Sequence, residues 1–152
     1  MKLAVISDTH ARYFSELSHE LVRGISSADL IVHGGDIVTM DLVEGLEGLA
    51  PVAAVCGNMD YAEVRLALPE KRTLELPGRR VGVVHGSGGP WGLRERVGSL
   101  FPEFDAVIFG HSHAAFNKTV GGTLFFNPGS ARDSYGLLEI TEQGMSGRIV
   151  RL

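Results

Sequence analysis

The stretch Asp105-Ala106-Val107-Ile108-Phe109-Gly110-His111-Ser112-His113 joins an apolar run to two histidines that stand one residue apart. The apolar run predicts a buried strand, and side chains two positions apart in extended backbone point to the same side. His111 and His113 can therefore aim at one point beyond the strand end, which suggests a metal. A surface loop that happens to hold two histidines is the alternative, and the remaining sequence decides between them.

The composition is typical of one folded domain. The chain has 152 residues, of which 44% are hydrophobic, and its mean hydropathy is +0.12. These values predict a single domain over residues 1–152. The formal charge of −4 and the absence of a long basic run give no strong nucleic-acid signature. A phosphorylated substrate is still compatible with this charge, because bound cations invert the local field.

Two features bear on the cellular compartment. Cys56 is the only cysteine, so the chain cannot form an internal disulfide. The first apolar run, Leu3–Ile6, is too short for the core of a signal peptide, and no run approaches the length of a membrane span. We therefore expect a cytoplasmic protein that has no membrane partner.

The pattern of apolar residues alternates between strands and helices at first and is mostly β afterwards. Strands are predicted at Lys2–Ile6, Asp29–His33, Val52–Cys56, Arg72–Leu76, Arg80–His85, Asp105–Phe109, Ala115–Val120, Thr123–Phe126, Tyr135–Thr141 and Gly147–Arg151. Helices are predicted at Tyr13–Ile25, from a cap at Thr39 or Asp41 to Pro51, from a capping box of Asp60 and Glu63 to Leu68, and at Trp91–Leu100. This order predicts an α/β domain with mixed sheets and helices packed outside.

Five of the predicted strands end in loops that carry ligand-type side chains. These are Asp8, His10, Asp36, Asn58, His85, His111 and His113. In open α/β sheets the carboxyl ends of the strands line the ligand crevice, so we expect these side chains to converge. Seven donors are too many for one tetrahedral zinc, and a mixture of carboxylate, amide and imidazole suits two divalent ions of the Mn, Fe or Zn kind. A pair of such ions can activate a bridging hydroxide, which indicates phosphoester hydrolysis.

The same residues form five ordered blocks, Asp8-x-His10, Gly35-Asp36, Gly57-Asn58, His85-Gly86 and Gly110-His111-x-His113. These blocks resemble the calcineurin-like metallophosphoesterase superfamily. Asn127-Pro128-Gly129-Ser130 and the small size are similar to its short bacterial and archaeal phosphodiesterase branch. The resemblance covers residues 8–130 and implies a four-layer sandwich, in which two mixed β-sheets lie face to face and are flanked by helices.

The resemblance also implies a role for each block. Asp8, His10 and His113 would bind one metal, and Asn58, His85 and His111 would bind the second. Asp36 would bridge the two ions and position the hydroxide, which is the nucleophile in place of any protein residue. Asn58 would also stabilise charge on the phosphoryl oxygens. Manganese is the metal we expect most, with nickel, iron and zinc as alternatives.

Three positions near these blocks differ from the common pattern. Met59 stands where many relatives have a histidine that contacts the substrate, and methionine cannot protonate a leaving group. Weak protonation favours esters with good leaving groups, and phosphodiesters over alkyl monoesters. Ser87 replaces a second histidine at the substrate mouth, while Arg12 could reach a phosphate or lie in solvent at a helix start.

Other candidate residues receive structural interpretations. His33 is expected to be a buried, hydrogen-bonded histidine, and His19 a surface residue. Cys56 is expected to pack inertly in its strand. Trp91, with Leu93, Val97 and Leu100, is expected in the core, because no basic stripe accompanies it.

The sequence therefore predicts a cytoplasmic dinuclear metal-dependent phosphoesterase that acts on a small phosphodiester. A phosphomonoesterase and a mononuclear metal-binding module are alternatives within the same ligand set. A non-catalytic scaffold is another, because one eukaryotic relative of this branch serves as a protein-binding subunit of the retromer coat. The oligomeric state stays open, and a homo-oligomer is compatible with the sequence.

Overall fold

The structure is a computed structural model that describes residues 1–152. Its ten strands are β1 Lys2–Ile6, β2 Leu30–His33, β3 Val52–Ala54, β4 Lys71–Leu76, β5 Arg79–Val84, β6 Ala106–Phe109, β7 Phe116–Val120, β8 Thr123–Asn127, β9 Ser134–Ile140 and β10 Met145–Arg151. Its four α-helices are α1 His19–Ile25, α2 Met40–Glu47, α3 Ala62–Ala67 and α4 Leu93–Ser99. A short 3-10 helix, Phe14–Glu16, precedes α1. No helix has both the length and the apolar character that a membrane crossing requires.

The strands form two mixed five-stranded sheets. In the first sheet the order is β10-β9-β1-β2-β3, with β1, β2 and β3 parallel and β9 and β10 antiparallel to their neighbours. In the second sheet the order is β4-β5-β6-β8-β7, with a parallel centre and antiparallel edge strands. Each sheet contributes its parallel strands to one edge of the molecule, where their carboxyl ends meet the polar loops.

The alternation of side chains along the strands builds a four-layer sandwich. Along β1, Leu3 and Val5 face the second sheet, whereas Ala4 and Ile6 face the helices. Helices α1, α2 and α3 cover the outer face of the first sheet, and α4 covers that of the second. This arrangement confirms the predicted fold class, an α/β sandwich of two mixed sheets face to face between layers of helices.

Phe126 lies at the centre of the sandwich and has no solvent exposure. Its ring occupies space left by two glycines on the facing strands, since a Cβ at Gly136 or Gly147 would overlap the ring. Truncating a fully buried phenylalanine costs roughly 3–5 kcal/mol of folding free energy in other proteins. Phe126 of the second sheet therefore packs directly against the backbone of β9 and β10 in the first sheet, and this contact stabilises the sandwich.

The first predicted helix begins later in the structure than the sequence predicts, whereas the second begins directly after its predicted cap residue, Thr39. The predicted helix Tyr13–Ile25 is divided, because Ser18 is an N-cap whose hydroxyl accepts a hydrogen bond from the Leu21 amide and so starts α1 late. At α2, Thr39 is the N-cap residue, but its hydroxyl donates to the Arg12 carbonyl instead of capping the helix.

The capping box predicted for Asp60 and Glu63 is wrong. Helix α3 begins at Ala62, with Tyr61 as its N-cap residue. The Asp60 carboxylate instead accepts hydrogen bonds from the amides of Val38 and Gly57, both at 2.6 Å. Local spacing could not show this, because Val38 is 22 residues away along the chain.

The prediction that Trp91 lies in the core is also wrong. Its side chain is 90% exposed, while Leu93 and Val97 are buried as expected. Gly92 adopts a left-handed conformation with φ 73° and ends the loop before α4 begins. Trp91 therefore lies outside the helical repeat that carries its apolar neighbours inward, and Leu100, beyond the last helical residue, is exposed as well.

Candidate metal centre

The loops after β1, β2, β3, β5 and β6 meet at one edge of the sandwich, three from the first sheet and two from the second. All seven side chains that the sequence singled out as donors lie in these loops or at their strand ends. Each of them has at least one donor atom within 4.0 Å of another member of the set. The structure therefore brings together the whole predicted set from positions 8 to 113.

The first half of the cluster contains two carboxylates and two imidazoles. Ligand atoms of Asp8, His10, Asp36 and His113 all lie within 4.8 Å of one another. Nε2 of His113 is 3.4 Å from Asp8 Oδ1 and 3.3 Å from His10 Nε2. Atoms at these separations can surround one ion after small side-chain movements, because metal–nitrogen and metal–oxygen bonds are about 2.0–2.2 Å long.

The second half is arranged around the side-chain oxygen of Asn58. Asn58 Oδ1 lies 3.1 Å from His85 Nε2 and 3.2 Å from His111 Nδ1. Asp36 Oδ2 joins the two halves, since it is 3.4 Å from His85 Nε2 and 3.8 Å from His10 Nε2. One carboxylate oxygen thus faces an imidazole of each half.

The orientation of His85 shows that the residues present fit a cation. Its Nδ1 lies 2.8 Å from the Gly34 carbonyl oxygen, and because a carbonyl only accepts, Nδ1 must carry the proton. Nε2 of the neutral ring then directs a lone pair towards Asp36 Oδ2 and Asn58 Oδ1. Electron pairs that face one another require a proton or a metal ion between them. The mixture of imidazole, carboxylate and amide donors suits a divalent ion of the first transition row.

Burial and charge shift the pKa values of these groups in opposite directions. Burial raises the pKa of Asp8, whose Oδ2 is buried without a hydrogen-bond partner. Burial also opposes ionisation of Asp36, but hydrogen bonds from His85 and the Met59 amide outweigh it and lower its pKa. For His85, burial favours the neutral ring, yet the interaction with Asp36 prevails and raises its pKa. The centre therefore attracts positive charge.

The backbone at the site is in an unusual conformation. Five of the seven candidate ligands have positive φ angles, Asp8 53°, His10 47°, Asp36 57°, His111 70° and His113 57°. Residues other than glycine rarely adopt this left-handed backbone conformation. Each one destabilises the fold locally, and packing elsewhere must compensate for that cost. Such strain clusters at functional sites, where it aims side chains that regular strands would direct elsewhere.

Two glycines leave room for the carboxylates. A Cβ at Gly57 would overlap Asp36 Oδ1, and a Cβ at Gly110 would clash with Ser7 Oγ and approach Asp8 Oδ2 to 2.9 Å. Backbone can come this close to a ligand side chain only where no side chain intervenes. These positions are the glycines directly before Asn58 and His111 in the sequence blocks.

Asp60 is a supporting residue that the sequence pattern did not reveal. Through the bonds to Val38 and Gly57 described above, its buried carboxylate holds the Asp36 loop against the Asn58 loop. Hydrogen bonds to an ionised carboxylate are about twice as strong as neutral ones. The sequence signal that could have found it is its position two residues after Asn58, because a carboxylate in so short a loop can accept hydrogen bonds from the loop's own amides.

The loop Asn127-Pro128-Gly129-Ser130 supports the other side of the centre. Asn127 Nδ2 donates to the Gly110 carbonyl at 2.8 Å and to Ser112 Oγ at 3.1 Å, and Ser130 Oγ donates to the Asp8 carbonyl at 3.3 Å. The loop thereby fixes the backbone that carries Asp8, His111 and His113, although it contributes no candidate ligand.

His33 is buried and hydrogen-bonded, as the sequence predicted. Its Nδ1 accepts from the Gly35 amide at 3.1 Å, so its Nε2 donates to Thr9 Oγ1, which in turn donates to the Asp36 carbonyl at 3.2 Å. Burial lowers the pKa of His33 to about 3, which keeps the ring neutral. These hydrogen bonds, which run through His33 and Thr9, fix the backbone of the Asp36 loop from its buried side.

The remaining singled-out residues lie at the rim. Arg12 donates to the Tyr61 hydroxyl at 2.9 Å, with its guanidinium 5.8 Å from the Tyr61 ring centre. Met59 is 57% exposed beside Asn58, and Ser87 is exposed in the loop that follows His85. None of these three side chains forms a hydrogen bond with any of the seven candidate ligands.

Comparison with known proteins agrees with this geometry. The model of the calcineurin-like phosphoesterase superfamily domain matches residues 1–143. A probable metallophosphoesterase of Methanocaldococcus jannaschii is 41% identical over 135 residues, which cover 86% of this chain and 68% of that protein. The chain therefore belongs to the calcineurin-like phosphoesterase superfamily.

Solved structures share the whole fold. The zinc complex of Vps29 from Entamoeba histolytica superposes with a TM-score of 0.80 at 25% identity, over 100% of this chain and 98% of that one. An archaeal phosphodiesterase superposes with a TM-score of 0.77 at 22% identity, over 100% of both chains, and shows the fold alone.

Proposed function

We propose that this protein is a dinuclear metal-dependent phosphoesterase that hydrolyses small phosphodiesters. One observation carries the proposal, the position of Asp36 Oδ2 between the imidazoles of His10 and His85, at 3.8 and 3.4 Å. A carboxylate oxygen shared by two groups of donors is what two adjacent divalent ions require. The family membership supports metal-dependent phosphoester hydrolysis as the chemistry.

The proposed roles follow the two halves of the cluster. Asp8, His10 and His113 would hold one ion, Asn58, His85 and His111 would hold the other, and Asp36 would be shared by both. Manganese is the favoured metal, with nickel, iron and zinc as alternatives. When bound, two such ions supply Lewis-acid activation of water and neutralise charge on the phosphoryl group.

The protein side chains add orientation and hydrogen bonding. Asn58 turns Oδ1 towards two imidazoles, so its Nδ2, which donates to no group in the protein, is free to donate to a phosphoryl oxygen. Arg12 lies on the His10 side of the centre, where its guanidinium can contact a substrate phosphate by exchanging its bond to Tyr61.

Two arguments favour diesters over monoesters. Met59 supplies no proton to a leaving group, which disfavours alkyl monoesters with their basic leaving alcohols. The sequence similarity to a phosphodiesterase of Methanocaldococcus jannaschii, 24% identical over 141 residues, adds support. We propose further that residues 1–152 act as one domain, because the three apolar clusters pack between the two sheets and on their outer faces. We also propose a cytoplasmic location, since the single cysteine, Cys56, has no partner for an internal disulfide.

A non-catalytic metal-binding scaffold is the second candidate function. The likeness to Vps29, solved with zinc, supports it, because that likeness covers the whole chain. The complete set of seven donors favours the enzyme, since a scaffold has no need for a bridging carboxylate beside two sets of imidazoles.

The deciding experiment is hydrolysis of bis-p-nitrophenyl phosphate and p-nitrophenyl phosphate by metal-stripped protein with Mn, Ni, Zn or Mg added back. We expect turnover that returns with metal, is faster on the diester, and saturates at two ions per chain by metal analysis. Turnover with neither compound and any metal would refute the enzyme and leave the scaffold. Saturation at one ion would refute the dinuclear site.

A further inference from the structure

A cleft of about 500 Å³ opens beside the second half of the metal centre. Its lining includes Asn58 and His85 of the centre, Cys56 and Val84 near the ends of β3 and β5, and residues of α3 and α4. None of Asp8, His10 and His113 lines it. The cleft therefore extends from one side of the centre only, and its volume is within the range of small-molecule sites.

The lining of the cleft is mixed, with nine residues that are polar, charged or glycine and four that are hydrophobic. Arg65 of α3 has no carboxylate oxygen within 4.0 Å, although Glu70 lines the same cleft. Ser87 and Ser99 add hydroxyls, and the four hydrophobic residues give the cleft apolar surface as well. The Ser99 hydroxyl donates to the Arg96 carbonyl at 2.7 Å and can still accept a hydrogen bond, whereas the Arg65 guanidinium has no hydrogen-bond partner in the protein. A lining that combines such groups with apolar surface suits a group that carries both hydroxyls and an apolar ring rather than an aliphatic chain alone.

We propose that this cleft binds one alcohol arm of the diester, a polar, hydroxyl-bearing group of nucleoside size. The inference rests on the proposed phosphoesterase function and specifies its substrate class. A phosphorus atom held at Asn58 and His85 directs one ester oxygen into the cleft, because both residues line it. Arg65 and Ser99 then contact the arm, while the other ester group remains in solvent.

The test compares two diesters with the same leaving group, thymidine 5′-p-nitrophenyl phosphate and methyl p-nitrophenyl phosphate, at saturating Mn. We expect kcat/KM to be at least about tenfold higher for the thymidine ester, which corresponds to a few hydrogen bonds to the arm. Ser99→Trp fills the cleft from an exposed position and should bring the ratio of the two kcat/KM values close to one. Arg65→Ala should lower the same ratio.

Glu95→Trp is the matched control, because it places the same side chain on an exposed position of α4 outside the cleft. A ratio near one in the native protein, or a ratio that Ser99→Trp does not lower, would overturn the assignment of the cleft. Absence of turnover with both esters would instead overturn the phosphoesterase function, so the two failures are distinguishable.

A second observation concerns the loop from Gly86 to Gly92. Arg96 of α4 donates to the Ser87 carbonyl from Nε at 3.1 Å and from Nη2 at 2.8 Å, and to the Trp91 carbonyl from Nη1 at 2.7 Å. Nη2 also donates to the Gly89 carbonyl. One guanidinium group thus binds three backbone carbonyls of the loop that follows His85.

The same loop contacts a candidate ligand. The Gly88 carbonyl lies 2.8 Å from Nε2 of His111. A carbonyl only accepts, so Nε2 carries the proton, and Nδ1 directs its lone pair towards Asn58 Oδ1 at 3.2 Å. The partner of one ring nitrogen therefore decides which nitrogen can bind a metal.

We infer that Arg96 is a positioning residue for His111. By fixing the carbonyls on both sides of Gly88, it holds the Gly88 oxygen where it selects the His111 tautomer that offers Nδ1. The planar fork of arginine reaches several carbonyls at once, whereas the ammonium group of lysine cannot reproduce this pattern.

Arg96→Lys tests this role without measuring activity. In the metal-free native protein, long-range 1H–15N NMR should show His111 protonated at Nε2 alone, and in Arg96→Lys a mixture of tautomers. Binding of the second Mn equivalent should weaken about tenfold, as is usual when a partner of a ligand is lost, while the first is unchanged. Arg94→Lys, on the same helix but without bonds to the loop, should match the native protein. An unchanged tautomer and unchanged Mn binding in Arg96→Lys would overturn the inference, whatever the variant does to the melting temperature.

Discussion

Nε2 of His85 lies 3.4 Å from Oδ2 of Asp36, and the far side of the imidazole is held by the Gly34 carbonyl. The ring therefore cannot turn away from the carboxylate without losing a buried hydrogen bond. Burial opposes the charged form of each group, but their mutual interaction lowers the pKa of the carboxyl and raises that of the imidazole, because each stabilises the charged form of the other. A metal ion bound by both side chains would replace the proton that otherwise lies between Nε2 of His85 and Oδ2 of Asp36.

The first prediction concerns these two residues. Asp36→Asn and His85→Ala should each lower kcat/KM on bis-p-nitrophenyl phosphate by at least about 100-fold, because each removes a donor that the other candidate ligands cannot replace. Circular dichroism should show an intact fold, since neither side chain belongs to an apolar cluster. His19→Ala, on the exposed face of α1, is the control. Full activity in both variants would show that the site is assigned wrongly.

The second prediction concerns Asp60. Asp60→Asn should destabilise the fold by about 1–3 kcal/mol, because an amide cannot accept from both the Val38 and Gly57 amides. Mn affinity should also fall about tenfold, since the Asn58 loop loses its attachment. Chemical denaturation and calorimetric titration measure the two effects. Asp41→Asn, an exposed aspartate on α2, should change neither, and equal values for Asp60→Asn and the native protein would contradict the role.

The third prediction concerns leaving-group protonation. Met59→His should raise the rate on esters with poor leaving groups, such as phenyl esters, more than on p-nitrophenyl esters, because an imidazole can donate a proton. The Met59 side chain is exposed and its amide already binds Asp36, so the exchange should preserve the backbone. The measurement is the slope of log kcat/KM against leaving-group pKa, which should be shallower in Met59→His than in the native protein and in Met59→Leu. Identical slopes in all three proteins would rule out this account.

The fourth prediction concerns stability at low pH. The pKa of His33 is about 3 in the folded protein and about 6.5 in the unfolded chain, so below pH 6.5 only the unfolded state takes up the proton. Folding stability contributed by the neutral ring is thus present above 6.5 and is lost as the pH falls towards 3. The loss amounts to about 2 kcal/mol between about pH 7.5 and about pH 5.

The measurement is chemical denaturation of metal-free protein at the two pH values, for the native chain and His33→Asn. The variant should be less stable at the higher pH, but its stability should depend less on pH by about the amount given above. His19→Asn should retain the native dependence. A native-like pH dependence in His33→Asn would show that another group is responsible.

The residues of the site could be predicted from the sequence where a short local pattern marks them. Asp8, Asp36, Asn58, His85 and His111 each follow a short apolar run, and such runs predict strands whose ends lie at one edge of a sheet. Asp60 and Trp91 were misjudged because their environments depend on distant contacts. The partner of Asp60 at Val38 and the turn at Gly92 outweigh the local helical pattern that suggested a cap and a core residue.

The order of strands and helices, the seven candidate donors and the family to which they point could all be inferred from the amino-acid sequence. These follow from apolar periodicity and from which polar residues end each run. Three relationships became visible only in the folded chain: three of the site's strands lie in one sheet and two in the other, Asp36 Oδ2 faces both His10 and His85, and a cleft opens beside Asn58. These relationships join residues far apart in the chain, and their free energy comes from packing and hydrogen bonds that no local pattern records.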